Sequence, residues 1–308
     1  DSPAEVLNKN NTTRNFKMKK LLIASTALVA TAGMASADIT ISGSANAGIH
    51  SGLHDAGTTT AQADGVYSNA GVAFALSGAT DNGISFSASV DVMAGNKIDQ
   101  GDFEYDGADD GAMDLGAVAM SGTFGTLTFD NGGIENLYSD GLYNADVSYA
   151  TTVGAVALTV AHDTTAGDGT AKESSMSVSA GYTASGMTFT LTGAQTVAGT
   201  STKLAVAYAL NDTVSLTGKT DQAAGAESVQ TIGAKTTLNG ISVSVESANN
   251  STWDVDLGYT AGGFALTYGT DETDGWTAGA SASLGGGATF AAGVDSNDST
   301  YAGVSFAF

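Results

Sequence analysis

The sequence predicts an all-β fold: a transmembrane antiparallel meander β-barrel of 16 or 18 strands, with short turns at one end and longer acidic loops at the other. Three observations predict it. Apolar and polar residues alternate along most of the chain, and helical periodicity is almost absent. Tight Gly/Asn/Asp turns take turns with longer acidic connections. A barrel of that many strands is too wide for side chains to fill, so its lumen holds water and the apolar set must face outward.

The first 37 residues stand apart from this pattern. Lys19 and Lys20 follow Met18, Leu21 to Gly33 is a short apolar run, and Ala35-Ser36-Ala37 is a small-residue cleavage site. That is the layout of a secretory signal peptide over 18–37, and the apolar run is too short to cross a bilayer as a helix. Residues 1–17 precede the start methionine and read as a non-structural leader left by a gene boundary. A single barrel domain is expected over 38–308. That span keeps five lysines, no arginine, no proline and 30 acidic residues, for a net charge of -25. No basic footprint for nucleic acid remains. No cysteine is present to build a disulfide framework. With 42% hydrophobic residues the chain is not a disordered acidic tail.

The strands follow in order. Ile39, Ile41, Gly43, Ala45, Ala47 and Ile49 alternate with Thr40, Ser42, Ser44, Asn46 and Gly48. A period of two places each set on its own face. The pattern returns in Ile84–Met93, Met176–Tyr182, Met187–Leu191, Leu204–Tyr208, Ile241–Val245, Trp253–Tyr259 and Phe264–Tyr268. It ends on Ala302, Val304, Phe306 and Phe308. The turns ATDNG, SGTFG, TTVG, TASG, ALND, TLNG, TAGG and LGGG close eight hairpins, which with a first and a last strand count to 18. One face carries Phe, Leu, Val, Tyr and Trp; the other carries Ser, Thr, Gly, Lys and Asp. The polar set must line water and the apolar set must face lipid, the inverted pattern of membrane barrels. Closure leaves no unpaired edge, which a bilayer requires. Phe306 and Phe308 then belong to the membrane-facing set of the strand that closes the barrel against the first. A terminal phenylalanine in that setting resembles the signal read by the outer-membrane barrel assembly machinery.

The stretches LSGATDNGISFSASVDV (76–92) and MSGTFGTLTFDN (120–131), and the ending LGGGATFAAGV…AGVSFAF, resemble the alphaproteobacterial general porins, trimeric outer-membrane diffusion porins. The resemblance covers essentially all of Asp38–Phe308. It implies a homotrimer in the outer membrane of a Gram-negative bacterium, usually with 16 strands, against the 18 counted here. It also implies that the third long loop, 130–146, folds inward as a constriction carrying Asp130, Glu135, Asp140 and Asp146. Ile134, Leu137, Tyr138, Leu142 and Tyr143 are available to pin it. Facing this loop the family sets a basic row. Lys203, Lys219 and Lys235 fall on the lumen parity and are its candidates, or else they balance nearby acids.

The acids of the long loops crowd the mouth, and an acidic mouth concentrates cations. A cation preference follows as an expectation. The resemblance also implies loop-bound calcium, whose oxygen ligands flexible acidic loops can supply. No EF-hand pattern is present, no metal site is assigned, and no other cofactor is expected. Gly43, Ala45, Ala47, Ala278, Ala280 and Ala282 make one outer wall small, which suggests the subunit contact of a trimer. Tyr182, Tyr208, Trp253, Tyr259, Tyr268 and Trp276 suit interfacial girdles. His50, His54 and His162 form no catalytic pattern, and HExxH, G-x-S-x-G and Walker A motifs are absent, so no enzyme is expected. The function read from these features is a water-filled channel for passive diffusion of small hydrophilic solutes and ions. The alternative is a non-conducting outer-membrane or surface barrel with a structural or adhesive role.

Overall fold

The computed structural model describes residues 37–308 except positions 56, 57, 59, 110–112, 140, 141, 143, 165–174 and 197–198. The expected leader and signal segments lie outside the described residues apart from Ala37, as do Asp140 and Tyr143. The strands are β1 (Asp38–Ser51), β2 (His54–Asp55), β3 (Gly65–Ala79), β4 (Ser85–Asp99), β5 (Glu104–Asp109), β6 (Met113–Leu115) and β7 (Val118–Gly122). Next come β8 (Gly125–Ile134), β9 (Ala145–Val153), β10 (Val156–His162), β11 (Met176–Ala184), β12 (Met187–Thr196), β13 (Gly199–Ala209) and β14 (Val214–Gln222). The last are β15 (Val229–Leu238), β16 (Ile241–Ala248), β17 (Trp253–Ala261), β18 (Phe264–Asp271), β19 (Trp276–Gly285), β20 (Ala288–Asp295) and β21 (Thr300–Ala307).

All belong to one sheet, and β1 pairs with both β3 and β21, so the sheet closes on itself. The three short strands β5, β6 and β7 pair in turn along β4 and share one position in the wall. β2 is a two-residue strand parallel to β5 at the rim. Among the described residues the wall therefore has 18 positions. The wall pairs are antiparallel, as short hairpin turns demand. The count follows the turn chemistry rather than the 16 usual in the resembling family.

Most short connections are built where the backbone turns left-handed. Asn239 and Gly240, Gly262 and Gly263, and Gly285 to Gly287 all have positive φ. Glycine takes that conformation without a Cβ penalty. The outward rows are apolar and unburied, as in Leu191 beside Leu204, Val245 beside Val255, and Leu257 beside Tyr268. A water-soluble protein would not expose such a continuous apolar face. No helix among the described residues is long and apolar enough to cross a membrane; this chain crosses with strands.

Phe308 completes the closure. Its N–H donates to the Gly43 carbonyl at 2.9 Å, and its carbonyl accepts from Gly43 N–H at 2.6 Å. Its ring lies in the space a Cβ on Gly43 would fill and is 76% exposed on the lipid side. Gly43→Leu should push the ring off the seam at a cost of about 1–3 kcal/mol, the range for overpacking. The check is the temperature at which the folded band converts on a gel, which should fall; an unchanged temperature would show that the seam does not depend on this contact.

Candidate functional site in the barrel lumen

The segment between β8 and β9 leaves the wall and turns inward. The β8–β9 ladder slips between Phe129 and Ile134, and Gly132 has φ 76°. Asp146, buried at the start of β9, holds the base of the loop. Its carboxylate accepts from Gly132 N–H at 2.9 Å and from the Thr164 N–H and hydroxyl, each at 2.7 Å. Asn144 Nδ2 donates to the Gly132 carbonyl at 3.0 Å. The Asp130 carboxylate fills the space beside Gly133 where a Cβ would stand.

The far part of the loop is pinned to the inner wall. Leu137 N–H donates to Ser177 Oγ on β11 at 3.0 Å. Tyr138, only 8% exposed, is the principal anchor. Its hydroxyl donates to Asp221 on β14. Lys203 on β13 donates from Nζ to the Tyr138 carbonyl at 2.8 Å and lies 4.7 Å from the ring centroid. Lys203 also pairs with Asp221 at 3.4 Å. Burial, and then the hydrogen bond and negative charge of Asp221, push the Tyr138 phenol up to about 12. The footprint of the loop is visible in what it covers: Ala161, Ser177, Ala194 and Ser201 face the lumen by register yet are buried.

Of the loop acids, Asp146 is therefore bonded into the base, Asp130 lies against the loop backbone, and Glu135 is exposed. Lys203, Lys219 and Lys235 are all on the lumen face, but they do not form a free basic row. Lys203 is engaged by the loop, and Lys219 lies 3.6 Å from Glu246. A fourth lumen lysine, Lys97, which the sequence reading passed over, sits 4.0 Å from Asp106.

The sequence reading also passed over the acids of the bare wall. Glu246, Asp254 and Asp271 are direct register partners on β16, β17 and β18, so three carboxylates stand side by side in one row. Asp256 follows on the same face one row on. A recess of about 600 Å³ opens beside them, lined by Asp254, Asp256, Asp271, Asp274 and Asp295 without a lysine. Like charges directly opposite on neighbouring strands destabilise a sheet, so nothing in folding favours this row. Strand parity alone places these acids in the lumen; their being level with one another depends on register. Among the described residues no group of three or more His, Cys, Asp or Glu is arranged to hold a metal ion.

The small outer residues are also gathered by register. Ala280 pairs with Ala292, Ala292 with Ala302, and Ala302 with Ile49; Ala45 pairs with Phe306 and Ala70. Gly43, Ala45, Ala47, Ala278, Ala280 and Ala282 thus lie on one continuous outer face from β19 through β21 to β1.

Comparison with known proteins agrees with this architecture. A triple mutant of the Rhodopseudomonas blastica porin is 15% identical, with a TM-score of 0.53. Two other mutants of the Rh. blastica porin are 16% and 14% identical, each with a TM-score of 0.52. Each comparison covers 88% of this chain and 100% of the other. At these identities the likeness is one of fold. No curated protein sequence is matched. The sequence model of the Gram-negative porin family matches residues 24–306. With that match over most of its length and a closed barrel around a polar lumen, the chain belongs to the Gram-negative porin family and is an outer-membrane porin channel, not an enzyme.

Proposed function

We propose that this porin is a cation-preferring diffusion channel for small hydrophilic solutes and ions, assembled as a homotrimer. The observation that supports the preference is the carboxylate row Glu246–Asp254–Asp271 with Asp256 beside it. Lys219 offsets Glu246, and Lys235 is the remaining lysine of this wall. The excess negative charge acts over a Debye length of ~8 Å at physiological ionic strength, which suffices to bias ions passing the wall. The test is single-channel current through the refolded barrel, Asp38–Phe308, in a planar bilayer under a KCl gradient. A reversal potential of the cation-selective sign supports the reading; zero or the opposite sign ends it.

The trimer reading rests on the small outer face across β19, β20, β21 and β1. Ala280→Asp places a charge in its centre, at a cost below the about 2–4 kcal/mol of a lysine or arginine at the bilayer midplane. The expected outcome is a folded, heat-modifiable barrel that migrates as a monomer; a trimer of unchanged stability would remove this face from the contact. Lipid meets the remaining apolar wall, and the strand ending in Phe306 and Phe308 is the segment offered to the assembly machinery. Calcium at the acidic outer loops is kept as a proposal, tested by whether a chelator shifts the same heat-modification temperature.

A further inference from the structure

A second buried cluster lies inside the barrel, away from the loop described above. Leu53, just beyond β1, is 0% exposed, and Phe103, between β4 and β5, is 5% exposed. Both come from connections at the outer end of the barrel, where loops of a channel ordinarily meet water. The Phe103 ring centroid lies 5.4 Å from that of Tyr301, and Tyr105 lies 5.3 Å from His50. Tyr301 and His50 are lumen-facing residues of β21 and β1, directly paired in register. Tyr67, also facing the lumen and 2% exposed, covers the backbone of Gly48 and Gly303 with its ring.

The spacing shows what these contacts require. Strands stand ~4.8 Å apart in a sheet, so elements three wall positions apart are separated by ~14 Å along the wall. β5 is three positions from β1, yet their rings meet. The β4–β5 hairpin must therefore lean across the lumen and not continue the cylinder. Its ladder carries the means to bend: a register shift between Lys97 and Ile98, and Gly95 at φ 104°. The β1–β3 connection follows it, since β2 pairs with the free edge of β5 and Ser299 donates its hydroxyl to the Gly52 carbonyl at 3.1 Å.

From this we infer that the porin has two constrictions, not one. The second is a compact apolar plug made by the β4–β5 connection and by Leu53 with β2, seated on β21, β1 and β3. The loop pinned by Tyr138 covers β10 to β14, half the ring away. The two elements narrow the lumen from opposite sides and leave the water path against the acidic wall of β16 to β20. Solutes are selected for small cross-section by the plug and for positive charge by that wall. This deepens the channel reading and rests on it.

The test uses three refolded full barrels in planar bilayers, with the unaltered porin as the reference for conduction itself. Leu53→Ala combined with Phe103→Ala loosens the plug. Its conductance should rise about 1.5-fold or more, since current follows the open cross-section, and larger polyethylene glycols should enter. Unchanged conductance and unchanged size limit in a folded double variant would overturn the inference. Phe103→Cys in this cysteine-free chain keeps the question open to test if the double variant does not fold. A bulky charged thiol reagent added from the loop side should block part of its current. Labelling without any loss of current would place Phe103 outside the path and end the proposal. A reference porin that conducts nothing would instead overturn the channel reading.

Discussion

Replacing Asp254 and Asp256 together by lysine should turn this channel from cation-preferring to anion-preferring. The two carboxylates lie on one face of β17 beside the open recess, and Asp254 is level with carboxylates of β16 and β18. The exchange alters the local charge by four units. One unit charge ~8 Å away contributes roughly 0.5 kcal/mol in water, and screening at that distance leaves about a third. Four units then amount to ~0.7 kcal/mol, opposite in sign for the two ions, so their permeability ratio should move on the order of tenfold. The reversal potential under a KCl gradient should change sign. A double variant that conducts with its original selectivity would show that another part of the lumen sets ion preference. The neutral variants Asp254→Asn and Asp256→Asn should fall between the two.

Removing the Lys203 side chain should release the inward loop. One ammonium donates to the Tyr138 carbonyl, lies over its ring and pairs with Asp221. A charged hydrogen bond contributes about 1.5–3 kcal/mol and an exposed cation–π contact about 0.5–1 kcal/mol. The ion pair itself adds little, since both partners are more than a quarter exposed. Lys203→Ala should therefore raise the released population by about thirty-fold or more, taking tenfold per 1.4 kcal/mol. Noisier open-channel current and higher mean conductance are the expected readings. Quiet current at the original conductance would mean that Asp146 and Ser177 hold the loop unaided. Lys203→Arg keeps the charge but not the compact geometry and should restore the loop in part. The Tyr138 phenol offers a second handle. Its raised pKa means that the latched state favours the neutral, donating hydroxyl. That contribution is complete below the ordinary tyrosine value near 10 and is lost as pH rises through about 12. Ultraviolet titration of the folded barrel should lose one tyrosine from its late-ionising phase when Tyr138 is replaced by Phe.

Much of this fold is legible in the sequence because a barrel wall has a strict period. Alternation assigns Ile41, Leu191 and Phe306 to lipid and Lys203, Lys219 and Asp254 to water, with no knowledge of the neighbours. The turns are equally local. Asn239-Gly240 and Gly262-Gly263 need positive φ, and the residue types announce it. Counting those turns is enough to reach 18 wall positions. The same arithmetic fails between β4 and β8, where β5, β6 and β7 divide one position into three pieces.

Sequence alone thus determined a membrane barrel with its inside and outside, and narrowed its size to 16 or 18 strands. These follow from chain-local physics: side-chain period, glycine turns and the need to satisfy every backbone group in lipid. Tertiary structure decided everything that depends on distance across the ring. It brought Glu246, Asp254 and Asp271 level, although 25 residues of chain separate the first from the last. It spent Lys203 on a loop tyrosine 65 residues earlier instead of on an open basic row. It set the Phe103 ring against Tyr301, from opposite ends of the chain. The reason is that parity names the face a residue occupies, while register, strand bending and loop direction set which residues meet there, and those are settled only when the wall closes.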